Sequence, residues 1–316
     1  MRAAFLGSSH SAGPCAAVTP VQLQRPEGQR DYLLALPRKP PSGKRPLVVI
    51  LHGAGASAKQ VLGMAFPPSP LSVWLEIAER EGVIVAAADA GKGGWSDCFA
   101  GDERVAKKDD VAFIGAIIDD AIARHGADPG RVHVIGVSRG GLMAYRVAAE
   151  IPQRLAAFSA LLACMPQPGR ARQPTVALPA LILGCTHDPF MPYEGGKRLL
   201  TLGILEPMMG IEASARVWRE LAGLADAPLV EAMTRADGRG RTRATRFLWG
   251  EAGGPQVALY RIDGGGHAEP SRLKRYPELI NRLVGPQNGD FDIAEVAWDF
   301  FRDKRRGERA GSRAAS

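Results

Sequence analysis

Short, nearly unbroken apolar runs recur along the chain, separated by longer stretches in which apolar residues return every three or four positions. Leu47–Leu51 (LVVIL), Val83–Ala88 (VIVAAA), Val132–Val137 (VHVIGV), Phe158–Ala163 (FSALLA) and Ala180–Gly184 (ALILG) are of the first kind. A strand covered on both faces has no polar side to show, so these runs predict the inner strands of a parallel sheet. Leu71–Arg80, Asp110–His125, Gly141–Glu150 and Ile211–Leu224 are of the second kind and predict amphipathic helices. Asp109 or Asp110 offers an N-cap for the second helix and Gly126 a stop at its far end. Asp31–Pro37 (DYLLALP) alternates, as an antiparallel edge strand does, and Thr242–Trp249 and Val257–Ile262 flank the turn-forming GEAGGP.

Strands alternating with helices predict an α/β protein with a mostly parallel, doubly wound sheet and helices on both faces. No repeat and no Pro/Ser-rich linker divides the pattern. One domain is expected over residues 30–303, with a flexible N-terminal extension over 1–29 and a disordered basic tail over 304–316.

Composition narrows the picture only a little. In 316 residues, 46% are hydrophobic and 23% charged, the balance of a soluble globular chain. No apolar run approaches the roughly 18 residues of a membrane span, so no integral membrane segment is expected. The start, MRAAFLGSSHSAGPC, has too brief an apolar patch for a secretory signal, which implies a cytoplasmic protein if the sequence is complete. The net charge of +7 is concentrated in Arg235–Arg246 and Arg302–Ser316, read as a glycine-containing loop and a terminal tail. Both are expected to be solvated, so no nucleic-acid partner is predicted. Cys164 and Cys185 close apolar runs and read as buried hydrophobes, whereas Cys15 and Cys98 lie in loop-like sequence and are close enough in character to pair. With no CxxC pair and no HExxH, no metal site is predicted.

Candidate chemistry begins at Ser138. Gly136-Val137-Ser138-Arg139-Gly140 follows a predicted strand and opens a predicted helix, and glycines two residues on either side give the backbone room for a sharp turn that lifts a serine Oγ above the sheet. The same turn sets the Arg139 N–H at a helix N-terminus, where a developing oxyanion is stabilised. A serine nucleophile needs a base and an orienting acid. Of the six histidines, His187 and His267 follow Ser138 by a strand or more. Asp188, directly after a strand, is the candidate acid, and His267, in the late glycine-rich YRIDGGGH, the candidate base. Sequence neighbours usually point apart, so His187 reads as a bystander; Asp263 is the rival acid. The second oxyanion donor is expected from the loop after an early strand, His52-Gly53-Ala54-Gly55, with the N–H of Ala54 nominated and Gly55 as the alternative. His52 itself reads as a packing and hydrogen-bonding residue. Trp95, Asp97, Met191 and Tyr193 fall on loops after strands, at the edge where open α/β sheets bind ligands, and are candidate substrate-pocket residues.

Together LVVILHGAGAS, WSDC (Trp95–Cys98), DDVAFIGAIIDD, DPGRVHVIGVSRGGLMAYRVAAE, HDPFMPYEGG, YRIDGGGH and GDFDIAEVAWDFF resemble, in order, the polyhydroxybutyrate depolymerase-like (LpqC-like) esterases, relatives of feruloyl and acetyl-xylan carbohydrate esterases. The resemblance covers roughly residues 30–303. It implies an α/β-hydrolase fold, a serine esterase with the triad Ser138, Asp188 and His267, no cofactor, an ester substrate that is a small molecule or an oligomer, and export from the cytoplasm as in many members. Family members often place a Trp-Pro element after the histidine; here Ala268-Glu269-Pro270 stands instead, which puts Glu269 among the candidate substrate-binding residues. A serine peptidase of the same fold, or an inactive binding protein, are the alternatives.

Overall fold

The structure is a computed structural model that describes residues 15–97, 108–196, 199–200, 203–204, 207–233 and 240–306. Its strands are β1 (Ala17–Arg25), β2 (Gly28–Leu36), β3 (Arg45–Leu51), β4 (Ile84–Ala88), β5 (Ala127–Val137), β6 (Ala157–Leu161), β7 (Ala180–Cys185), β8 (Leu199–Leu200), β9 (Gly203–Ile204), β10 (Leu229–Ala232), β11 (Arg243–Gly250) and β12 (Gln256–Asp263). The helices are α1 (Ala58–Val61), α2 (Trp74–Glu81), α3 (Asp110–His125), α4 (Arg139–Glu150), α5 (Ile211–Leu221), α6 (Glu278–Val284) and α7 (Ile293–Phe301).

Ten strands form one sheet in the order β1-β2-β4-β3-β5-β6-β7-β12-β11-β10. The six central strands, β4 to β12 in that order, pair parallel, and the pairs at both ends are antiparallel. Leu47 to Leu51 of β3 and Ile84 to Ala88 of β4 are wholly buried, as their unbroken apolar sequence requires. Apolar cores lie on both faces. One gathers Ile114, Ile117, Leu142 and Trp218 from α3, α4 and α5; the other gathers Val61, Trp74, Ile77, Trp298 and Phe301 from α1, α2 and α7. This is the α/β-hydrolase arrangement, a mixed, mostly parallel sheet flanked by helices.

Local signals fix the element ends. The Asp109 carboxylate accepts from the Ala112 N–H and caps α3, and Gly126 closes it at φ 70°. Asp110, the other cap candidate, is instead buried. The run read as a strand to Ala163 stops at Leu161, because Leu162 turns the chain at φ 52°.

Three expectations need correction. Residues 17–29, assigned to a flexible extension, form β1 and the start of β2; β1 has only exposed and partly exposed positions, and its weak apolar signal is that of an outermost strand. The alternating stretch at Asp31–Pro37 is therefore not an edge, since β1 pairs along its whole length outside it. The basic tail begins later than residue 304: Lys304 is buried with its ammonium over Phe300, and Arg306 donates to the carbonyls of Gly130 and Gln153. The rest of that tail (307–316), the first fourteen residues, Arg235 and Arg239 of the basic loop, and Cys98 with its suggested pairing to Cys15 lie outside the described residues.

His133 in β5 is wholly buried and stacks on Phe301 at 4.7 Å between ring centroids, with neither ring nitrogen hydrogen bonded among the described residues. Burial, aided by the nearby cations of Arg131 and Lys304, pushes its pKa down to about 3 from an ordinary 6.5. An imidazole that the fold keeps neutral but the unfolded chain protonates supports folding above pH 6.5 and loses that support as pH falls toward 3. His133→Leu should therefore flatten the pH dependence of stability, removing about 2 kcal/mol of the loss between pH ~7.5 and ~5. Urea unfolding of both proteins at the two pH values checks this, because any packing cost of leucine is common to both; equal slopes for wild type and variant would refute it.

Candidate active site

The loops that follow β3, β5, β7 and β12 meet at the C-terminal edge of the parallel strands, where an open α/β sheet leaves room for a ligand. Ser138 stands between β5 and α4 with φ 56° and ψ −121°, a backbone region costing on the order of 1–3 kcal/mol for a residue with a Cβ. Two backbone bonds hold it there: its N–H donates to Leu161 O at 2.8 Å, and its carbonyl accepts from Leu142 N–H at 3.0 Å. The glycines around it are sterically required. A Cβ on Gly136 would fall 2.0 Å from Gly140 O, and one on Gly140 would fall 2.1 Å from Leu51 O at the end of β3. The turn is thus pressed against the neighbouring strand's end, and the Arg139 N–H becomes the first of α4, without a partner inside the helix.

Two further loops bring Asp188 and His267 together. His267 Nδ1 lies 2.6 Å from Asp188 Oδ2, while Asp188 Oδ1 accepts from the N–H groups of Phe190 (2.7 Å) and Met191 (2.8 Å). The carboxylate is buried, and these three bonds fix its plane. The histidine loop is held from behind: His267 N–H donates to Val284 O at 2.6 Å and Gly266 N–H to Pro286 O at 2.8 Å. A Cβ on Gly266 would sit 2.3 Å from Val284 O, which is why a glycine run precedes the histidine. Among the described residues Ser138 Oγ has no hydrogen-bond partner, so a proton path from Ser138 to His267 needs a contact that this resting arrangement does not make. Of the other candidates, His187 is exposed and its Nδ1 meets Thr186 Oγ1, and Asp263 pairs with Arg261 at 2.8 Å.

The loop after β3 packs directly on Ser138. A Cβ on Gly53 would lie 3.4 Å from Ser138 Cβ and 4.0 Å from its Oγ. His52 is buried, with Nδ1 donating to Gly53 O at 2.8 Å and Nε2 accepting from Ala90 N–H at 3.0 Å. Both nitrogens are thereby committed in the neutral tautomer, and burial lowers the pKa further from the charged form. Gly53 O also accepts from Ala56 N–H at 3.3 Å. In a trans peptide the N–H points opposite the carbonyl, so these two donors aim the Ala54 N–H away from themselves. Ala54 and Gly55 are exposed, and Gly55 takes φ 70°.

The five candidate pocket side chains require correction: in this structure all are buried and committed to protein contacts. Trp95 Nε1 donates to His52 O at 2.8 Å, Asp97 is ion-paired with Arg139, Met191 packs in the core and Tyr193 hydroxyl meets Glu212 at 3.0 Å. Glu269 accepts from Ser69 Oγ and Tyr276 hydroxyl, each at 2.9 Å. They form inner supports of the loops. Sequence reasoning missed their partners. Asp110 accepts from Arg30 at 2.5 Å and from Ser96 N–H at 2.6 Å, and Arg146 donates to Ser96 O. One signal was present: Asp110 falls four and seven residues before Ile114 and Ile117, on the buried stripe of α3, where a charge needs a partner.

The fold and these four converging loops define an α/β hydrolase. The profile of the phospholipase/carboxylesterase family matches residues 38–202, a segment that includes Ser138 and Asp188, and the chain belongs to that family. It is 30% identical over 273 residues to NocK of Nocardia uniformis subsp. tsuyamanensis, a protein designated an esterase, covering 81% of this chain and 74% of NocK. It is 26% identical over 214 residues to feruloyl esterase B of Piromyces equi, covering 66% of this chain but only 38% of that enzyme. Among solved structures, acetyl xylan esterase from Aspergillus awamori superposes with a TM-score of 0.53 at 16% identity, over 84% of this chain and 99% of that one. Among the described residues no group of side chains is arranged to hold a metal ion, and no helix is long and apolar enough to cross a membrane.

The steric reading of the turn is open to test by stability alone. Gly140→Ala should destabilise the fold by about 1–3 kcal/mol, because the methyl must displace the end of β3. Gly115→Ala in α3, where a Cβ meets nothing within 4 Å, should instead gain up to about 1 kcal/mol. Urea unfolding of both variants decides; a neutral Gly140→Ala would mean that the turn is looser than described.

Proposed function

We propose that the protein is a serine carboxylic ester hydrolase in which Ser138 is the nucleophile, His267 the general base and Asp188 the orienting acid. The observation that carries this reading is the 2.6 Å bond between Asp188 and His267, on loops that open at the same sheet edge as the strained Ser138 turn. Asp188 accepts from Nδ1, which leaves Nε2 as the basic nitrogen of the neutral imidazole. His267 Nε2 takes the Ser138 hydroxyl proton as Oγ bonds to the ester carbonyl carbon, and the carbonyl oxygen becomes an oxyanion. The N–H groups of Arg139 and Ala54 receive that charge. Collapse of the intermediate expels the alcohol, which takes the proton from His267, and leaves an acyl-serine. Water then attacks the acyl carbon, giving its proton to His267, and the carboxylic acid departs as Ser138 Oγ is reprotonated.

The substrate class rests on the likeness to polyhydroxybutyrate depolymerase-like and feruloyl esterases: short-chain esters, hydroxyalkanoate oligomers or feruloyl-type esters. Initial rates on a short-chain nitrophenyl ester, a 3-hydroxybutyrate oligomer and methyl ferulate rank these. Ser138→Ala should abolish turnover of every ester the wild type accepts, and Asp188→Asn should lower kcat by roughly 10³–10⁴-fold by holding the wrong imidazole tautomer. Turnover that survives Ser138→Ala would overturn the assignment.

A further inference from the structure

Among the described residues eight large apolar side chains stand exposed, and five of them, Met64, Phe66, Leu273, Leu279 and Leu283, fall in two short stretches. These stretches border each other. Ser69 and Tyr276 both donate to the Glu269 carboxylate, Gln60 holds Pro67 O, and Lys274 faces Glu76 at 3.6 Å. Scattered exposed leucines mean little, but a concentration on one rim marks a surface that is covered in use.

The helix α6 makes the case sharper. It has no buried residue, and Leu279 and Leu283, one turn apart, are 70% and 67% exposed. Its end is tied to the candidate base through the bond from His267 N–H to Val284 O. Against its flank lies a hollow of about 680 Å³ whose lining includes Arg241, Arg272, Arg275 and Arg282 with Glu278 and Asp290, an excess of two positive charges. Arg275 is fixed by the carbonyls of Ser271, Asn288 and Gln287, Arg272 pairs with Asp292 at 3.2 Å, and Arg282 makes an exposed pair with Glu278 at 3.7 Å, of the kind that solvent screens. Among the described residues no carboxylate pairs with Arg241.

We propose that this rim docks on an anionic lipid bilayer. The leucines and Phe66 would enter the acyl boundary, and the neighbouring arginines would meet acidic headgroups, the division of labour that interfacial segments use. A neutral polyester surface satisfies the leucines and offers nothing to the net positive charge of the hollow beside them. A second copy of the chain would bring like-charged clusters together across the contact. The inference does not depend on the reaction proposed above, since it concerns binding alone.

The test is co-sedimentation of the wild-type protein with phosphatidylcholine vesicles, with and without ether-linked phosphatidylglycerol, which no ester hydrolase can cleave at its chains. Binding should require the anionic lipid and weaken with salt. Leu279→Ser with Leu283→Ser should lower it by about tenfold, and Arg241→Glu or Arg282→Glu by about fivefold each. All four positions are solvent-exposed, and unchanged thermal melting would show that the fold is intact. Equal binding to neutral vesicles, no loss in the double serine variant, or a leucine-dependent dimer in place of vesicle binding would each overturn the proposal.

Discussion

The contact on which the site depends is the approach of the Ser138 turn to the end of β3. Gly140 packs against Leu51 O and His52 O at distances that no side chain survives, and Gly136 packs against Gly140 in the same way. That closeness has two consequences. It forces Ser138 into a conformation unfavourable for a residue with a side chain, and it lays the His52–Gly55 loop directly against Ser138. The proposed nucleophile and the two proposed oxyanion donors therefore come from one steric fit. The strain is offset by the burial of Leu142, Met143, Tyr145 and Val147 of α4, which cannot pack on the sheet unless the helix starts where it does.

A fit of this kind needs its loops held from outside, and two buried polar networks do so. On one side Asp110, held by Arg30, and Arg146 both bind Ser96, while Arg139 reaches Asp97, so the segment after β4 is fastened to both α3 and α4. On the other side Glu269 ties the His267 loop to Ser69 through one oxygen and to Tyr276 through the other. Buried ionic and hydrogen-bonded groups of this sort add little net stability over an apolar core, but losing one partner strands the other at a cost of about 3–5 kcal/mol. Their contribution is to make one loop arrangement much better than its neighbours. The carboxylate at position 269 thus has a local explanation: it is an anchor facing inward.

How much of this was legible in the sequence follows from what each pattern encodes. The inner strands and α3 could be read because burial on both faces, or on one helical stripe, writes itself as hydrophobic periodicity, and because Asp109 and Gly126 mark the helix ends. β1 and β10 could not: Val18, Leu23 and Leu229 keep partly or fully exposed positions, and an outer strand whose second edge is free carries almost no apolar signal. The serine, acid, histidine order singled out Asp188 and His267 because strand ends are visible in sequence. The partners of Trp95, Asp97 and Glu269 were not visible, since hydrogen bonds between residues such as Ser69 and Glu269, 200 positions apart, leave no periodic trace. Reading those residues as pocket walls confused nearness to the sheet edge with exposure at it.

The histidines show how surroundings sort residues of one type. His133 is sealed in the core and kept neutral, and His52 has each nitrogen committed to a backbone group. His125 lies 3.6 Å from Asp120 beside the C-terminal end of α3, and His187 is exposed beside Thr186. His267 differs from all four: one nitrogen is bound to a buried carboxylate whose other oxygen is saturated by backbone donors, and its ring is flanked edge-on by Phe190 at 5.1 Å. With Nδ1 committed to that carboxylate, Nε2 is the ring nitrogen left to exchange a proton with a substrate-side group. That single open nitrogen is what a general base requires, and it is why the role proposed for His267 rests on its surroundings as well as on its place in the chain.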